Sequence, residues 1–271
     1  MRLGMAALTQ QRASEAERIA CGLLDKEPEH AEALHLLGLA LLAQKRPRDA
    51  LLRLEQAARV GRNPVVETHY ALALRDLGRK EEAIDWLHRA TSHDPPLPVS
   101  FHELGILLCS VRRYAEAEAV LKRGLEVAPQ AAELSVELGG VYICRADPAS
   151  AKIAFARALA YVPRHVRALH GFGTALLFEG EFEQAAERFR QVLANSPNHA
   201  RARLDLAHCM LELGQHQDAL EELRTLLRMA PPFFGKALKI LVSSGRGRFW
   251  MRPSVAAAVL QLDPTVARTL Q

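Results

Sequence analysis

Cysteine is scarce in this sequence: Cys21, Cys109, Cys144 and Cys209 are the four among 271 residues, and no two of them form a CxxC pair. Without such a pair or the density of a disulfide scaffold, free thiols are the expectation and nothing suggests a structural metal. Long apolar runs are missing too. The longest, Leu36 to Ala43 (LLGLALLA), falls well short of the roughly 20 residues that a membrane span takes. Residues 1–12 lack the basic-then-apolar layout of a signal peptide, so a cytoplasmic protein is expected. Catalytic signatures are also absent. There is no Walker loop, GxSxG or HExxH, and GxG occurs only at Gly171-Phe172-Gly173 and Gly245-Arg246-Gly247, neither in a strand-to-helix setting. No enzyme, cofactor, metal site or small-molecule substrate is therefore expected.

What is present is a folded composition, 49% hydrophobic and 24% charged. The net charge of +4 is unevenly spread. Residues 234–271 hold Lys236, Lys239, Arg246, Arg248, Arg252 and Arg268 against Asp263, which gives +5 and leaves −1 for the rest. Nucleic acid as the main partner would need an extended basic face, so it and an anionic membrane surface rank second.

The chain is periodic. Pro95, Pro129, Pro163, Pro197 and Pro231 are each 34 residues apart, and Ala83, Ala117, Ala151, Ala185 and Ala219 keep the same interval. Ala16 and Ala50 extend the alanine series backward with one deletion. With Ala31 as position 1, position 8 reads Gly4, Gly38, Ala71, Gly105, Gly139, Gly173 and Ala207, and position 20 is always alanine. Two helices approach closely only where side chains are small. Large residues at position 7 (Leu37, Tyr70, Leu104, Leu138, Phe172, Leu206) and position 24 (Leu54, Leu87, Leu121, Phe155, Phe189, Leu223) fill the remaining space. The prolines end each second helix, and Gly78, Gly180 and Gly214 mark the turn inside their repeats.

A 34-residue helix-turn-helix period with this pattern resembles the tetratricopeptide-repeat (TPR) family. The resemblance implies an all-α TPR solenoid, a right-handed superhelix whose concave side is lined by the first helix of each hairpin. Units are expected at 31–63, 64–97, 98–131, 132–165, 166–199 and 200–233, with a partial unit at 1–30 and degenerate capping helices at 234–271. Within that last segment GRGRFWMR reads as the turn of a capping hairpin, with Phe249 and Trp250 covering the end of the stack. Docking of Arg246, Arg248 and Arg252 on anionic lipid or nucleic acid is the alternative.

In such a solenoid function resides at positions 2, 5, 6, 9, 12 and 13 of the first helices. The candidate partner-binding residues are His35, Leu39, His69, Leu72, His102, Ile106, Val136, Ile143, Arg167, His170, Arg201 and His208. They suit a peptide or amphipathic helix with apolar anchors and an acidic end near Arg167 and Arg201. His35, His102 and His170 share position 5 but lie two repeats apart, too far to share an ion. The Lys and Asn set of TPR domains that grip chaperone carboxylates is absent, as is the asparagine ladder of O-GlcNAc transferases. The expected function is a non-enzymatic scaffold or adaptor for a protein or peptide, with a substrate-presenting role beside a glycosyl- or sulfotransferase as a second possibility.

Overall fold

The structure, a computed structural model, describes residues 2–243; the capping turn GRGRFWMR and everything after it lie outside them. Among the described residues there are only helices and turns. They run α1 (Arg2–Thr9), α2 (Ala13–Leu24), α3 (Ala31–Ala43), α4 (Pro47–Gly61), α5 (Pro64–Asp76), α6 (Lys80–Ala90), α7 (Pro98–Ser110), α8 (Tyr114–Val127), α9 (Ala132–Cys144), α10 (Pro148–Tyr161), α11 (Val166–Phe178), α12 (Phe182–Asn195), α13 (Ala200–Glu212), α14 (His216–Met229) and α15 (Phe234–Ser243). Two compact units divide the chain, Met1–Pro129 and Gln130–Gln271. No helix among the described residues is long and apolar enough to cross a membrane.

Local chemistry sets the helix ends. The residue before a proline is driven out of the α region: Ala128, Val162, Ser196 and Ala230 have φ between −130 and −144° and ψ between 73 and 84°, so each second helix stops there. At position 15, between paired helices, the backbone turns left-handed in all seven repeats. Glycine occupies it three times (Gly78, Gly180, Gly214), while Gln11, Lys45, Arg112 and Ala146 adopt φ of 57 to 62° without glycine's freedom. First helices are capped in an unusual way. His30, His165 and His199 each accept, through Nδ1, the N–H of the residue three further on (Ala33, Ala168, Ala202) at 3.0–3.3 Å, satisfying a donor that the helix leaves free.

The core follows the repeat. Ala16, Ala50, Ala83, Ala117, Ala151, Ala185 and Ala219 are all fully buried. A Cβ at Gly38, Gly105, Gly139 or Gly173 would come within 2.8 Å of the residue at position 24 of its own repeat: Leu54, Leu121, Phe155 and Phe189 respectively. The first repeat has Ala20 at position 24, and there Leu36, from the next repeat, lies over Gly4 instead.

Candidate partner-binding face

The first helices bring successive repeats together through a recurring pair, position 5 of one against position 6 of the next. In the first unit His35 Nε2 and His69 Nδ1 lie 2.8 Å apart, their ring centroids 5.0 Å apart. In the second unit His170 Nε2 donates to Asp205 Oδ2 at 3.1 Å, and Arg201 Nε donates to the same oxygen at 3.0 Å. A variant links position 12 to position 6: Arg75 donates to Glu103 at 3.0 Å. The periodicity puts these residues on one face. That position-5 and position-6 histidines would bond was not legible from it.

Burial, with a smaller contribution from His69, pushes the His35 imidazole down to about 4, and burial lowers His69 as well. A histidine whose pKa is depressed by folding costs nothing above the unfolded value near 6.5 and destabilises progressively as pH falls from there toward 4. Lowering the pH across this window is expected to remove on the order of 3 kcal/mol through His35, measured by denaturant unfolding at pH 7 and pH 4. His35→Gln should flatten a large part of that dependence, and an unchanged pH profile would show that the pair is not the cause.

Leu39, Leu72 and Ile106, all at position 9, are half-buried, as are His35, His69 and His102. Met5 occupies the same position in the first repeat and is 41% exposed. The first unit thus carries one apolar side chain per repeat along the row. In the second unit the row reads Gly140, Thr174 and His208 and is no longer apolar.

Two expectations change in the second unit. Val136 does not line the face: it is 3% exposed and packs with Ala151, Phe155 and Ala168. The arginines expected to meet an acidic partner are already ion-paired within the chain. Arg167 is paired with Glu137 at 2.7 Å and Glu133 at 3.5 Å, and Arg201 with Asp205. Ile143, His170 and His208 are half-buried, with His208 at 3.7 Å from Glu212. Cys209 is buried, which pushes its thiol up to about 12 and makes it a poor nucleophile.

Sequence comparison agrees with this arrangement. The family model described as Tetratricopeptide repeat matches residues 176–237, and that described as Anaphase-promoting complex, cyclosome, subunit 3 matches residues 9–90. The chain is a tetratricopeptide-repeat protein. No curated protein is significantly similar to this TPR chain in sequence. Solved structures share its fold. One is the APC/C hetero-tetramer Cut9-Hcn1, at 18% identity and TM-score 0.68, covering 89% of this TPR protein and 48% of that chain. The present chain thus spans about half the length of that relative. A tetratricopeptide repeat protein from Parabacteroides merdae aligns over 98% of this chain and 96% of its own, at 17% identity and TM-score 0.64. YrrB, described as a TPR protein with an unusual peptide-binding site, covers 69% of this chain and 96% of its own, at 21% identity and TM-score 0.57.

Proposed function

We propose that this TPR protein is a non-enzymatic scaffold that holds a protein or peptide partner against the first helices of its first unit. The observation that carries the reading is the apolar row Met5, Leu39, Leu72 and Ile106, one residue per repeat, with Val65 and Val99 exposed at position 2 of α5 and α7. Packed helices lie about 8–10 Å apart. A partner helix places apolar residues seven apart at about 10.5 Å intervals, which matches that spacing. The paired histidines and the Arg75–Glu103 bridge would flank such a helix with polar contacts and fix its register. Peptide binding by YrrB and the assembly of Cut9 with Hcn1, as those structures are described, make this use of the fold a reasonable one. We place the protein in the cytoplasm, where exposed thiols such as Cys21 and Cys144 persist.

The test is capture of partners from lysate, identified by mass spectrometry, with wild type and with the double variant Leu72→Arg, Ile106→Arg. Both residues are half-buried at the surface, so the charges reach water and helical content should stay unchanged. Partner retention is expected to fall by at least tenfold, the worth of losing a central apolar anchor. Equal retention by the folded double variant would refute the assignment of this face.

A further inference from the structure

A recess of about 430 Å³ in the first unit is lined by Arg62, Glu67, Arg89, Ser92 and His93. The fold makes the recess, because a counterpart of about 510 Å³ in the second unit is lined by Pro163, Arg164, Leu169, Gln191, Ala194 and Asn195. Five register places coincide: 32, 4, 26, 29 and 30 hold Arg62, Glu67, Arg89, Ser92 and His93 in one, Pro163, Leu169, Gln191, Ala194 and Asn195 in the other. The sequence therefore gives one copy two arginines around a buried carboxylate, whereas the ionic side chain of the other is Arg164 alone.

The charged copy is organised from its base. Glu67 is fully buried where the counterpart has a leucine; Arg89 Nε lies 3.0 Å from its Oε1, and His93 Nε2 donates to its Oε2 at 2.8 Å. Arg89 also stacks over Trp86, 4.7 Å from the ring centroid. A buried carboxylate is costly unless it is paired, and here it holds the Arg89 guanidinium and the His93 ring in place. Its own atoms are covered, so a ligand does not reach it. Arg89 Nε faces Glu67 as an ion pair without a hydrogen bond to it, and the terminal nitrogens of a side chain 46% exposed are the donors a ligand meets. Arg62 stands opposite at the C-cap of α4 in a left-handed conformation, and among the described residues no carboxylate pairs with it.

We propose that this recess is a receptor for a phosphate-type oxyanion, inorganic phosphate or a phosphate monoester. Two guanidinium groups line it, Arg62 from a helix end and Arg89 from within a helix, so their donors reach a ligand from different elements, while the Ser92 hydroxyl donates to the His88 carbonyl and His93 Nε2 to Glu67. A tetrahedral oxyanion accepts from both guanidinium groups at once, whereas a planar carboxylate is saturated by one guanidinium fork. The site is separate from the first-helix face: Glu67 and Arg89 occupy positions 4 and 26, outside the partner-facing set, so either reading can fail alone.

The experiment is a titration of the whole protein with inorganic phosphate at low ionic strength, followed by ³¹P line broadening and calorimetry, with phenyl phosphate and acetate as comparison ligands. One saturable site is expected for phosphate, with acetate at least tenfold weaker. Arg62→Gln changes an exposed residue and should weaken phosphate by about tenfold or more, the worth of one charge-assisted hydrogen bond. Arg164→Gln, in the counterpart recess, should leave binding unchanged. Tighter binding of phenyl phosphate than of inorganic phosphate would identify a monoester as the natural ligand, and the reverse the free ion. No saturable binding in the millimolar range, equal binding of acetate, or full binding by folded Arg62→Gln would each overturn the proposal.

Discussion

Phe155→Ala is expected to destabilise the second unit by about 3–5 kcal/mol, the usual cost of emptying a buried phenyl site. The ring is 3% exposed, on α10, and it lies against two first helices at once. A Cβ at Gly139 would come within 2.6 Å of it and a Cβ at Gly171 within 2.3 Å. Both glycine backbones therefore sit directly on the ring, and neither has a side chain that can move in when it is removed. The loss falls on the packing of one hairpin and on its contact with the next, because α9 and α11 share this single residue. In stacked repeats damage at such a shared interface spreads to the neighbours. Urea unfolding, together with hydrogen exchange of α9, α10 and α11, measures it; a loss under about 1 kcal/mol would mean that the ring is not the wedge described. Gly171→Ala approaches the same contact from the other side and should cost about 1–3 kcal/mol by overpacking.

The contacts under Phe155 explain why so much of the fold was readable. Small residues at positions 8 and 20 and a large one at 24 are demanded by how closely two helices approach, so the sequence repeats them wherever the geometry repeats. The prolines mark second-helix ends through the residue before them. The left-handed turn was less evident, because glycine holds it in three repeats while Gln11, Lys45, Arg112 and Ala146 accept the same backbone unaided. The candidate face was only partly legible. Position 5 lies at the edge of the buried stripe, and there the residue type decides: His35, His102 and His170 are half-buried, whereas Val136 and Leu204 are buried. An imidazole has polar nitrogens that seek a partner or water, and a short aliphatic side chain settles inward. The polar cluster of Glu67, Arg89 and His93 carried no periodic signal at all. Its members come from a core position, an outer helix face and a loop, and only folding brings them together.

The correction at Val136 yields the second large expected effect. Val136→Arg places a guanidinium at a site 3% exposed, among Ala132, Ala151, Phe155, Ala158 and Ala168. An unpaired buried charge costs about 3–5 kcal/mol. The same change at Ile106, half-buried at position 9, lets the head group reach water along its aliphatic stem and should cost under about 1 kcal/mol. The two substitutions therefore separate core from face along one register: the first lowers the unfolding midpoint and opens α9 and α11 to hydrogen exchange, and the second leaves both near wild type while partner capture falls. Loss of capture by Val136→Arg alone says nothing about recognition, since the helices that would present the face have come apart. A Val136→Arg protein as stable as wild type, with intact exchange protection, would put that side chain back on the surface and restore it to the partner-facing set.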